Sequence, residues 1–184
     1  MWMIMTLAFS VLSYSASNFE YAFLGSTQSY QNDFQTENGR PAPQPYGYFF
    51  EKEESEILST VFFEENRKMT GSVYGCHEHS PGEFDCHREN KLVLGDYSRS
   101  SNLYSVEEMK QSLPLAIEFF TQNVGAESDI VSIKLWEAFS NIRYVMTYKK
   151  GETVSQYFIA CHFHGNGLDC HRKRDAGPGE PKLP

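Results

Sequence analysis

Basic residues are scarce in this 184-residue chain: 16 Lys and Arg stand against 24 Asp and Glu, a formal net charge of −8. Such a balance leaves no broad basic face to neutralise phosphates, which argues against a general nucleic-acid binder. After its opening residues the chain has no apolar run of the roughly 18 residues that a membrane-spanning helix needs. It also lacks an HExxH helix, a Gly-rich phosphate loop and a nucleophile elbow. The best-marked routes to hydrolysis and phosphoryl transfer are therefore missing, and no catalytic residue is assigned. What remains is 40% hydrophobic and 15% aromatic, enough to build an ordinary core and too much for a disordered polymer.

The opening MWMIMTLAFSVLSYSAS is apolar to about Leu12 and then small and polar. Ser15 and Ser17 are small residues spaced for cleavage after Ser17, so residues 1–17 read as a secretory signal peptide, although without the usual basic start. The alternative is a buried N-terminal strand or helix. Export places the protein outside the cytoplasm, secreted or periplasmic. There, an even number of cysteines means disulfides before thiolate metal sites.

All four Cys and all six His fall in two short windows. One is Cys76-His77-Glu78-His79, a turn, then Phe84-Asp85-Cys86-His87-Arg88. The other is Cys161-His162-Phe163-His164, a turn, then Leu168-Asp169-Cys170-His171-Arg172. The offset is 161 − 76 = 85 at the first Cys and 170 − 86 = 84 at the second. Carried upstream, the same offset sets Ile57 on Ile142, Val61 on Met146, and Phe34, Thr36 and Asn38 on Phe119, Thr121 and Asn123. The reading is a tandem duplication with halves at 18–95 and 96–174, closed by a disordered tail at 175–184.

Within the second half, Ser105 and Glu108 form a capping box, and Val106, Met109, Leu113, Ile117 and Phe120 make a helical stripe with Pro114 inside it. Four strands follow, near 130–139, 142–148, 153–164 and 168–172, and the first half predicts strands near 48–52, 56–65, 69–79 and 84–90. A helix is expected over 28–38 on a poor stripe, with a proline-rich loop over 39–47. A helix followed by a four-stranded antiparallel meander, twice, is an α+β fold with helices on one face of the sheet. In element order the outline is similar to cystatin-like and β-lactamase-inhibitor-like secreted domains.

Hairpin counting assigns the faces. A two-residue Gly165-Asn166 loop pairs His164 with Gly167, Phe163 with Leu168, His162 with Asp169 and Cys161 with Cys170. The cysteines then fall on a non-hydrogen-bonded pair, about 4.5 Å apart at Cα, where a disulfide fits. A three-residue loop Ser80-Pro81-Gly82 gives the first hairpin the matching pairs Cys76–Cys86 and His77–Asp85. Alternation puts the cysteines toward the core and the imidazoles on the opposite face. His77, His79, Asp85 and His87, and likewise His162, His164, Asp169 and His171, are thus candidate metal ligands. Imidazole with carboxylate suits zinc or copper rather than calcium or magnesium. His171, further from its turn and opposite Ala160, is assigned to a second site or to one shared between halves. The competing reading is a non-enzymatic protein-interaction module in which the same hairpins are structural; a metal-dependent hydrolase is a third.

Overall fold

The computed structural model describes residues 5–80, 83–96, 104–138, 140–165 and 167–173. Its elements are α1 (Met5–Asn38), β1 (Gly47–Lys52), β2 (Ile57–Glu65), β3 (Lys68–Ser80), β4 (Glu83–Asp96), α2 (Val106–Val124), β5 (Asp129–Ala138), β6 (Asn141–Lys150), β7 (Thr153–His164) and β8 (Gly167–Lys173). The strands form one antiparallel sheet in the order β4-β3-β2-β1-β5-β6-β7-β8. The α+β expectation holds, and the two meanders share one sheet, joined by β1 against β5. The expected tail, 175–184, lies outside the described residues.

Both helices lie on the same face of the sheet, and their buried residues belong to one core with the strand residues beneath them. Along α1, Phe19, Phe23, Ser26, Thr27, Tyr30 and Phe34 are buried at helical spacing. The helix is far longer than the expected 28–38 because Ser26 and Thr27 occupy stripe positions that a count of apolar residues passes over. Their hydroxyls are satisfied internally. Thr27 Oγ1 donates to Phe23 O at 2.6 Å and lies 3.0 Å from Tyr48 Oη, while Ser59 Oγ donates to Ser26 Oγ at 2.7 Å. The backbone of residues 5–17 is helical and continuous with α1 through Ser17. α2 starts at Val106 behind the expected capping box, so Pro114 does not delay it.

The two halves superpose in register as well as in element order. Adding 85 to both members of every β1–β2 pair, from Gly47–Phe62 to Lys52–Ile57, gives a β5–β6 pair. The same holds for every β2–β3 pair, which becomes a β6–β7 pair. Across the join, Gly47–Trp136 exchanges with Glu51–Ser132, and Phe49–Lys134 maps onto itself, since 49 + 85 = 134. A pseudo-twofold axis therefore passes through that pair, where Lys134 Nζ lies 5.4 Å from the centre of the Phe49 ring. The helix ends agree too: Asn38 Nδ2 donates to Phe34 O, and Asn123 Nδ2 to Phe119 O.

The first hairpin departs from expectation near its tip. Ser80 pairs with Glu83 and Glu78 with Phe84, so His79 is an extra residue in a bulge, and Ser80, expected in the loop, belongs to β3. The hairpin base is as expected, and it is wedged against α1. Gly25 packs on the Cys76–Cys86 bridge so closely that a Cβ there would stand 2.5 Å from Cys86 Sγ. Ser29 Oγ, one turn later, donates to Cys86 O at 2.9 Å. Helix propensity alone would make Gly25→Ala stabilising by about 1 kcal/mol. Because the cross-linked sulfur cannot move aside, the substitution is expected instead to cost about 1–3 kcal/mol in urea denaturation. An unchanged or raised midpoint would show that the contact is not tight.

Candidate metal centres

The pleat decides which side chains meet. Both disulfides form as paired, Cys76–Cys86 and Cys161–Cys170, each with Cα atoms 4.1 Å apart. Cys76, Cys86 and Cys161 are buried under the helices, with Phe163, Leu168 and Cys170 partly buried beside them. Side chains one residue away in each strand must then project from the other, helix-free face. His77 stands opposite Asp85, and His162 opposite Asp169. Arg88 faces the helices, bridging to Glu37 and lying 3.8 Å from Asp33, whereas Arg172 stacks on Tyr157.

In the first cluster, His77, His79 and His87 bring one ring nitrogen each within 4.8 Å of one another. Asp85 Oδ2 lies 3.2 Å from His87 Nε2 and 3.7 Å from His79 Nε2. The carboxylate is placed to complete a four-ligand shell or to orient two of its rings. Gly75, opposite His87, carries no side chain, and its space is taken by the carboxylates of Glu56 and Glu89: a Cβ on Gly75 would stand 2.6 and 3.2 Å from their oxygens.

In the second cluster, His162, His164 and Asp169 offer ligand atoms within the same 4.8 Å limit. The His171 ring lies 5.0 Å from that of His162. His162 Nε2 and His164 Nε2 are 2.6 Å apart, hydrogen-bonded to each other. A tetrahedral zinc with Zn–N near 2.1 Å holds two such nitrogens about 3.4 Å apart, so these rings need to open by only about 0.8 Å to admit the ion. Around these residues stand Arg143, buried on the neighbouring strand, and Lys173.

All eight expected ligands thus lie on the helix-free face, four in each hairpin. His87 joins the ligand set of its own hairpin, whereas His171 does not enter the second set: its ring lies 5.0 Å from that of His162. Nor do the six imidazoles share a cleft. β3 and β7 are five strand steps apart in the sheet, about 24 Å along it. Five antiparallel steps also send the two hairpin tips to opposite ends of the sheet. Glu56, Glu89 and Arg143 were not foreseen as neighbours of the clusters. Only the β2–β3 and β6–β7 registers bring Glu56 and Arg143 alongside the imidazoles.

No family model, no curated protein and no solved structure matches the chain. The likeness to cystatin-like outlines accordingly stays one of element order.

His162 is held below the ordinary imidazole pKa of about 6.5. Burial is the largest cause, followed by the neighbouring His164 and His171, with Arg143 adding to the effect and Asp169 opposing it. The folded protein binds this proton less readily than the unfolded chain does. His162's share of stability is therefore complete above about pH 6.5 and is lost as pH falls from there toward the depressed value. Ring-proton NMR of the metal-free protein is expected to place the His162 midpoint below 6.5; a midpoint at or above it would refute the assigned surroundings.

Proposed function

We propose that this is a small metal-binding protein of an oxidising compartment, secreted or periplasmic, that holds zinc or copper on the helix-free faces of its two Cys/His hairpins. The observation that carries the reading is the meeting, twice, of three candidate ligand atoms within 4.8 Å, three imidazoles in the first hairpin and two imidazoles with a carboxylate in the second, at hairpins whose cysteines are already tied up in disulfides. Such sites are imidazole–carboxylate sites, suited to borderline metals. In the first half His77, His79 and His87 hold the ion, with Asp85 as fourth ligand or ring orienter. In the second, His162, His164 and Asp169 hold it, with His171 alongside. Three ligand atoms meet in each hairpin, with the Asp85 carboxylate beside the first set and the His171 ring beside the second.

Export through cleavage after Ser17 belongs to the same reading and is supported by the two disulfides, which persist in oxidising compartments. Among the described residues no helix is long and apolar enough to cross a membrane. The repeat is read as an ancient tandem duplication, supported by the 85-residue offset that carries one half's strand pairs onto the other's. The second reading, a protein-interaction module with structural hairpins, is favoured by one observation: the edge strand β4 exposes Leu92, Val93 and Leu94.

Elemental analysis combined with thiol titration on exported protein tests the proposal. About one or two zinc or copper ions per chain and no free thiols are expected, with most of the metal lost from a variant combining His77→Ala, His79→Ala, His162→Ala and His164→Ala. Absence of metal even after its addition, with thiols still blocked, would leave the interaction module.

A further inference from the structure

The two hairpins present the same donor types, but the residues around them have diverged in charge. Beside the first cluster stand three carboxylates, Asp85, Glu56 and Glu89, the last two filling the space over Gly75 opposite His87. At the matching positions of the second half the offset gives Asp169 for Asp85, Asn141 for Glu56 and Lys173 for Glu89. Leu58, opposite Gly75, becomes Arg143, opposite Ala160. Ala160 in turn faces His171, and Arg143 is close enough to disfavour a proton on His162. The first surroundings thus hold three carboxylates, where the matching positions of the second hold one, Asp169.

We propose that the first half carries the tight divalent-cation site and the second half a weak one. The inference rests on the metal-binding reading above. It makes the first hairpin's three imidazoles the resident-ion site. The second hairpin exchanges its ion at concentrations where the first remains filled. A unit charge about 10 Å from a divalent ion changes its affinity severalfold even at the dielectric constant of water. Two further carboxylates, their effect reduced by ionic screening, therefore amount to severalfold in dissociation constant.

Isothermal titration with zinc chloride on the full chain separates the sites. His162→Ala/His164→Ala leaves the first site, and His77→Ala/His79→Ala leaves the second. The first is expected to bind severalfold more tightly at low ionic strength, and the gap is expected to narrow toward about 1 M sodium chloride, where the Debye length falls to about 3 Å. Glu56→Gln/Glu89→Gln, in the variant retaining only the first site, is expected to weaken that site severalfold, with circular dichroism confirming the fold. Equal or reversed affinities, or a gap that salt leaves untouched, would overturn the inequivalence while leaving two metal sites. Failure of wild-type protein and both variants to bind zinc would overturn the metal reading itself.

Discussion

The period of two in a β-strand is the constraint on which the rest of this molecule depends. In each hairpin a cysteine is followed immediately by a histidine on one strand, and an aspartate precedes the cysteine opposite. Once the cysteines turn inward and bridge, every imidazole and its carboxylate must face outward. The disulfides therefore act on the site without touching it. By tying the two strands in one register they fix the parity of each ligand, and a slip of one residue would bury the histidines and expose the sulfurs. Gly25 and Ser29 extend that constraint to α1, which rests directly on the first bridge and its backbone.

The same sheet separates what the repeated motif might suggest belongs together. Because β1 pairs with β5 about an axis through Phe49 and Lys134, the meanders spread outward from the centre and carry their hairpins to the two edges. Equivalent strand pairs agree residue for residue near the centre, and differences collect toward the edges. There the first hairpin has bulges in β3 and β4, and the second has a clean two-residue turn with Gly165 at φ 60°. The strand register is the same in both halves near the centre, while the groups beside the imidazoles differ from one hairpin to the other.

Much of this was legible in the chain. The second hairpin could be paired residue by residue, because a Gly-Asn loop between alternating strands leaves little choice of register. The capping box at Ser105 and the stripe of α2 were equally readable, since both are local. α1 was not, because its buried stripe includes Ser26 and Thr27, whose burial is compensated by Tyr48 and Ser59 from other strands. The bulge at His79 escaped for a related reason: a turn that includes Ser80 and a bulged strand that runs to Ser80 fit the same spacing. Glu56 and Arg143 approach the imidazoles across a strand boundary, so nothing within either motif announces them.

The join between the halves has a consequence for how the chain reaches this shape. Every other ladder in the sheet connects residues at most 28 apart in sequence, the span from Lys68 to Asp96. The β1–β5 ladder connects residues from 81 apart, Glu51 to Ser132, to 89 apart, Gly47 to Trp136. It closes the longest loop of any ladder and bears the greatest chain-entropy cost. Each meander can zip from its own turns at short range, and the central seam is the slow ladder, made when two largely assembled half-sheets meet edge to edge.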